Sequence, residues 1–70
     1  MTNQITLNGK VLTLEREMTI VELLRQQNIS PDEKGIAIAI NEAVINRRAW
    51  EHVRIKANDK VEIVRATQGG

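Results

Sequence analysis

Alternating polar and apolar residues at the beginning of the chain predict a β-hairpin. Ile5 and Leu7 alternate with polar neighbours, and Asn8-Gly9 separates this run from a second one. A type I′ turn needs positive φ at both central positions, so Asn-Gly between two such runs is a strong hairpin signal. We therefore predict strands at about 4–8 and 10–14.

The next pattern predicts a single helix with a marked beginning. Thr19 is a favoured N-cap residue, and Glu22 stands three positions later, which is the capping-box spacing. Pro31 disfavours helical backbone at the residue before it, so we expect the helix to end near Gln27 or Asn28. The apolar positions that share one face of this helix are Ile20, Leu23 and Leu24.

The second half of the chain predicts three short strands. Residues 36–40 alternate isoleucine and alanine, so one face should enter the core and the other should be shallow. A returning strand at 43–45 follows, and residues 46–51 predict a loop with one helical turn. The last strand is predicted at 60–65, where Val64 is out of phase with the inward-facing positions. Its side chain should therefore face solvent or a partner.

The order of hairpin, helix and three strands predicts an α+β domain with one helix packed across a mixed sheet. We assign residues 1–65 to this domain. Residues 66–70 contain no side chain large enough to anchor them, so we predict a flexible C-terminal tail. Five extended residues span roughly 17 Å, which would carry the last residue into a neighbouring protein.

Composition excludes several classes of function. The 70 residues carry ten basic and nine acidic side chains, no cysteine and one aromatic residue, Trp50. A net charge of +1 is not typical of nucleic-acid binders, and one histidine, His52, cannot form a metal site alone. We expect Trp50 to be a core or rim anchor and His52 to be solvated. No apolar run or leader is visible, which indicates a cytoplasmic protein with no membrane association.

The candidate chemistry lies at Gly69-Gly70, the last two residues of the sequence. Such an ending would arise by chance in about one chain in 200. Two residues without side chains can pass through a narrow channel and present the Gly70 carboxylate to another protein. A carboxylate needs activation before a nucleophile attacks it, and the chain has neither a phosphate-binding loop nor a marked nucleophile–base pair. We therefore predict a protein substrate, not an enzyme.

The motifs together resemble those of a known family. Asn8-Gly9, Ala39-Ile40-Asn41, Arg47, Trp50 and the terminal Gly69-Gly70 are similar to the pattern of the sulfur-carrier proteins of thiamin thiazole biosynthesis, the ThiS type. The resemblance runs along the whole chain. It implies a ubiquitin-like β-grasp fold and a protein that is monomeric when alone.

The resemblance also implies partners and a reacting residue. A ubiquitin-activating-type adenylating enzyme would use ATP and Mg²⁺ to convert the Gly70 carboxylate into an acyl-adenylate. A cysteine desulfurase would supply sulfur, and thiazole synthase would accept it from the Gly70 thiocarboxylate. No cofactor or metal would be bound by this chain itself. The residues expected to contact partners are Val64, Ala66, Thr67, Gln68 and Gly69.

Two departures and three alternatives accompany this resemblance. Asn46 stands where the family usually has proline, and Gln68 where a small apolar residue is common. The small subunit of molybdopterin synthase shares the fold and the tail. A ubiquitin-like modifier that joins Gly70 to a lysine amine would use the same activation chemistry. An enzyme in its own right is the alternative that the residues support least.

Overall fold

The computed structural model describes residues 3–66, which form one helix, seven strands and a single 3-10 turn at Arg47–Ala49. The strands and helix in chain order are β1 (Asn3–Leu7), β2 (Lys10–Leu14), β3 (Met18–Thr19), α1 (Ile20–Gln26), β4 (Ile36–Ile40), β5 (Ala43–Ile45), β6 (Arg54–Ile55) and β7 (Lys60–Arg65).

Five of the strands form a mixed sheet in the order β2-β1-β7-β4-β5. The central pair, β1 and β7, is parallel, and the other neighbours are antiparallel. Helix α1 contributes its apolar face to the core beside this sheet. The predicted α+β architecture, a mixed sheet with one helix in a β-grasp arrangement, is confirmed.

The count of strands differs from the prediction in one respect. Met18–Thr19 pairs with Arg54–Ile55 in a separate two-stranded ribbon, with Met18 opposite Ile55. We predicted three strands after the helix, whereas the described part of the chain has four, and β3 was not predicted. A two-residue strand is too short to show an alternation of polar and apolar residues. It forms only by pairing with a segment far away in the sequence.

The two tight turns of the sheet both have positive φ at their central residues. Asn8 and Gly9 have φ of 51° and 85°, and Leu7 lies opposite Lys10 across the turn. In the β4–β5 turn, Asn41 and Glu42 have φ of 52° and 71°. Positive φ at both central positions is the type I′ pattern that matches the twist of a hairpin.

Helix α1 begins with the predicted capping box and ends with a Schellman motif. The Thr19 hydroxyl accepts a hydrogen bond from the Glu22 N–H at 3.2 Å, and the Glu22 carboxylate accepts one from the Thr19 N–H at 2.9 Å. At the other end Asn28 has φ of 62°, and the Ile29 N–H donates to the Leu24 carbonyl at 2.8 Å. The left-handed conformation of Asn28 therefore terminates the helix. Asn28 lies three residues before Pro31, the residue from which the end of the helix was predicted.

The core lies between α1 and the inner face of the sheet. The three isoleucines of β4 are buried, which confirms the stripe predicted from the alternation. Trp50 is only 2% exposed, so its predicted role as an anchor is also confirmed, and its place is in the core. The remaining buried apolar residues are Ile5, Leu14, Met18, Ile20, Leu23, Leu24, Ile55 and Val61.

Candidate functional site

The outer face of the sheet is the surface that carries the predicted contact residue Val64. In β7 the side chains of Val61 and Ile63 point inward, and Val64 is 61% exposed. Val64 lies opposite Ala37 of β4, and paired residues in a sheet project from the same face. The prediction that Val64 points away from the core is therefore confirmed.

Val64 belongs to a small apolar patch that extends across β4 to β5. Ala39 lies opposite Val44 on one side and Glu62 on the other, so these side chains share the outer face with Val64 and Ala37. Val44 is 78% exposed, and Glu62 is half-buried. We name the four apolar members, Ala37, Ala39, Val44 and Val64, the outer patch.

The exposed large apolar side chains of residues 3–66 all lie on this one face. They are Val11, Val44 and Val64. Val11 belongs to β2, where it lies opposite Thr6 of β1, and β2 is two strands away from β7. The exposure of Val64 was predicted from the sequence, whereas that of Val44 was not. The signal was present, because a strand that returns antiparallel to β4 must align Val44 with the shallow alanine side.

The last described residues are attached to the loop that precedes β4. The Arg65 guanidinium forms a two-pronged ion pair with the Glu33 carboxylate, at nitrogen–oxygen distances of 2.8 to 3.0 Å. The Ala66 N–H donates to the Gly35 carbonyl at 2.6 Å. We name Arg65 and Ala66 the tail root, because they are the last residue of the predicted domain and the first residue of the predicted tail.

The predicted site residues Thr67, Gln68, Gly69 and Gly70 lie outside the described residues. Ala66 is described and exposed, with the hydrogen bond to Gly35 given above. The partner contacts of all these residues, and the reaction at Gly70, stay predictions.

Residues 38–50, which include Arg47 and Trp50 of the family-like pattern, have a structural role. Arg47 donates hydrogen bonds to the carbonyls of Pro31 and Glu33, the latter at 2.9 Å. Its guanidinium also lies 4.4 Å from the centre of the Trp50 ring, within the range of a cation–π contact. The Trp50 indole N–H in turn donates to the Ile45 carbonyl at 3.1 Å. Arg47 thus connects the buried Trp50 to the loop that holds the tail root.

The two asparagines of this segment support turns. Asn41 accepts a hydrogen bond from the Lys60 N–H at 2.9 Å and donates to the Asp59 carboxylate at 3.1 Å, which fastens the β4–β5 turn to the beginning of β7. Asn46 has φ of −60°, which is the angle that proline would impose. Its side chain also caps the 3-10 turn by accepting from the Arg48 N–H at 3.0 Å. The departure from proline therefore leaves the turn intact.

His52 is exposed, as predicted. Within residues 3–66, no group of three or more histidine, aspartate or glutamate side chains is arranged to hold a metal ion. None of the helices in that range is long and apolar enough to cross a membrane.

Comparison with known proteins agrees with the geometry. The model of the ThiS family matches residues 3–70. The chain is similar to the crystal structure of the thiamine biosynthesis protein ThiS from Geobacter metallireducens, with a TM-score of 0.80 and 26% identity over 96% of this chain and 99% of that one. An NMR structure of a thiamine biosynthesis protein from the same organism gives a TM-score of 0.79 and 28% identity, covering 96% and 87% of the two chains. No curated protein matches this chain.

These similarities extend over nearly the whole chain and include both the sheet that bears the outer patch and the segment around Arg47 and Trp50. The resemblance found in the sequence is thereby confirmed: the chain belongs to the ThiS family and has its ubiquitin-like β-grasp fold.

Proposed function

We propose that this protein is a sulfur carrier of thiamin thiazole biosynthesis and that the Gly70 carboxylate is its reacting group. The observation that carries the proposal is the family match, which runs from residue 3 to Gly70 and therefore includes both glycines. The likeness to two thiamine biosynthesis proteins over 96% of the chain supports the same pathway.

The chemistry would take place in two stages on the Gly70 carboxyl group. In the first stage, a carboxylate oxygen attacks the α-phosphorus of ATP in an adenylating enzyme of the ubiquitin-activating type. Pyrophosphate leaves, and the acyl-adenylate now has AMP as a good leaving group. ATP and Mg²⁺ belong to that enzyme, and this chain serves as its substrate.

In the second stage, a persulfide derived from a cysteine desulfurase attacks the acyl carbon and displaces AMP. A thiol then reduces the resulting acyl disulfide, which releases the Gly70 thiocarboxylate and leaves the thiol oxidised in a disulfide. The thiocarboxylate is a soft nucleophile that thiazole synthase would accept as its sulfur source. A terminal glycine offers the least hindered acyl group for both stages.

The folded domain would provide the surface by which these enzymes recognise the protein. The outer patch supplies exposed apolar surface next to the strand that leads to Gly70, and Val44 and Val64 are 78% and 61% exposed. Burial of such exposed apolar side chains against a partner would remove apolar surface from water, which favours association. The carrier would act as a cytoplasmic monomer that meets its partners through this face.

Intact-mass measurement tests the proposal. The chain is incubated with the adenylating enzyme of its host, ATP, Mg²⁺, cysteine and the desulfurase. We expect a mass gain equal to one exchange of oxygen for sulfur, located on Gly70 by fragmentation. A matched chain that lacks Gly70 should gain nothing.

The alternatives give different results in the same experiment. Covalent conjugates between Gly70 and lysine side chains would indicate a ubiquitin-like modifier. A thiocarboxylate that restores molybdopterin synthesis but not thiamin-independent growth would indicate the small subunit of molybdopterin synthase. No mass change with active partner enzymes would overturn the carrier proposal.

A further inference from the structure

We propose that the loop Pro31–Gly35 is a clamp that sets the position and direction in which the chain leaves the domain toward Gly70. Glu33 and Gly35 hold the tail root, and Arg47, seated on Trp50, holds the loop. The purpose of the clamp rests on the proposed function, because a carrier must deliver its C-terminal carboxylate into the active site of a partner.

The outer side of the clamp consists of two contacts with the tail root. The Glu33 carboxylate binds the Arg65 guanidinium through three nitrogen–oxygen contacts of 2.8 to 3.0 Å. The Gly35 carbonyl accepts the Ala66 N–H at 2.6 Å. Two adjacent residues of the chain are therefore held by two residues of one loop, which defines a direction as well as a position.

The inner side of the clamp ties the same loop to the core. Arg47 donates to the Pro31 and Glu33 carbonyls, and its guanidinium lies over the Trp50 ring at 4.4 Å. Trp50 is 2% exposed and cannot move without disturbing the core. Glu33 is the shared residue, since its backbone is held by Arg47 and its side chain holds Arg65.

The composition of the clamp separates it from the elements that stabilise the fold. Pro31–Gly35 contains no buried residue, and the side chains of Arg65 and Glu33 are 55% and 35% exposed. An ion pair at such exposure contributes little to folding. Its fixed two-pronged geometry instead restricts orientation, which is the quality that the delivery of a terminal group requires.

Glu33→Gln is the primary test, with Glu42→Gln as the matched control. The control removes the same charge and another exposed ion pair, that of Glu42 with Lys60 at 3.5 Å, at the opposite end of β7. Both variants should keep the fold, which the melting midpoint checks. NMR hydrogen exchange measures the Ala66 amide directly and needs no partner enzyme.

We expect Glu33→Gln to accelerate exchange of the Ala66 amide about threefold to tenfold, because a freed loop opens more often. In adenylation assays with the host enzyme, it should raise KM for the carrier about threefold to tenfold with little change in kcat, since binding must now order the tail root. Glu42→Gln should change neither quantity. The double variant Glu33→Arg with Arg65→Glu should restore both toward wild type.

The outcomes distinguish failure of the clamp from failure of the proposed function. Equal Ala66 exchange in Glu33→Gln and Glu42→Gln would overturn the clamp, whatever the enzyme assay shows. A raised KM that the charge-reversed pair does not restore would indicate direct contact of Glu33 or Arg65 with the enzyme and would also overturn it. If wild type is not adenylated, the carrier proposal fails, while the exchange experiment still decides the clamp.

Discussion

The side chain of Asn8 forms two hydrogen bonds with the backbone of Ile63. Its amide oxygen accepts from the Ile63 N–H at 2.8 Å, and its amide nitrogen donates to the Ile63 carbonyl at 3.2 Å. The backbone pairing of β1 with β7 ends at Leu7, where β1 turns away. The side chain of Asn8 provides the next hydrogen bonds to β7. The hairpin turn of β1 and β2 thus helps to hold the strand that leads to the tail root.

Asn8→Asp should destabilise the domain by about 1 kcal/mol at neutral pH, the ordinary contribution of one hydrogen bond. The carboxylate keeps the acceptor and the tolerance for φ of 51°, but it cannot donate to the Ile63 carbonyl. Urea unfolding monitored by fluorescence measures the effect, because Trp50 is the one aromatic residue of the chain. At about pH 3 the carboxyl is protonated and can donate to the Ile63 carbonyl, so the difference in unfolding free energy between the variant and wild type should become smaller. An unchanged difference would contradict this explanation.

The capping box should make part of the stability pH-dependent. The hydrogen bond from the Thr19 N–H, assisted by nearby Arg16, lowers the pKa of Glu22 from its ordinary value of 4.5. A carboxyl whose pKa is lower in the folded state than in the unfolded state stabilises the fold at any pH above its unfolded-state pKa. This contribution is lost as the pH falls through its folded-state pKa. Glu22→Gln keeps the box geometry without titrating. Its deficit in unfolding free energy relative to wild type should therefore shrink below about pH 4.5, and a constant deficit would contradict the assignment.

Val64→Asp should weaken recognition by the adenylating enzyme. A charge on the β7 side of the outer patch should lower kcat/KM by at least fivefold, ~1 kcal/mol, if this surface is removed from water in the complex. Val11→Asp is the matched control, because Val11 is 68% exposed on the same face but two strands away from β7. Both variants should unfold at nearly the same urea concentration as wild type. Equal losses of kcat/KM would show that charge, and not the patch, is responsible.

Gly35→Ala should cost more stability than Gly9→Ala. Both glycines have positive φ, 79° and 85°, so each alanine variant is strained by about 1 kcal/mol. A Cβ at Gly9 would meet no atom of the described residues within 4 Å, whereas one at Gly35 would lie 3.1 Å from the Cβ of Ala66. The difference between the two unfolding free energies measures the contact with the tail root. Equal costs would show that Ala66 moves aside freely.

Local features were predictable because neighbouring residues determine them. Asn8-Gly9 favours positive φ without help from the rest of the chain, and Thr19 with Glu22 satisfies the helix N-terminus by itself. The alternation in residues 36–40 likewise revealed which side of β4 enters the core. Asn28, whose positive φ terminates the helix just after its C-cap Gln27, was also a local signal, but the prediction used Pro31 instead.

The candidate site was predictable only in part. Val64 was recognised as out of phase, while Val44 joined the outer patch through its register with Ala39. Composition already singled out Trp50 and sequence similarity singled out Arg47, but the contacts of Arg47 with the loop before β4 were not foreseen. Register and side-chain contacts depend on chain segments that meet only after folding.

The sequence by itself determined the turns, the capped helix, the buried faces and the terminal glycines, because each depends on residues within a few positions of one another. Tertiary structure decided the β3–β6 ribbon and the position of Glu33 between Arg47 and Arg65. Glu33 is separated from these partners by 14 and 32 positions, and no local pattern encodes such a distance. The packing of Trp50 into the core positions Arg47. The pairing of Ile36 with Arg65 between β4 and β7 positions Arg65.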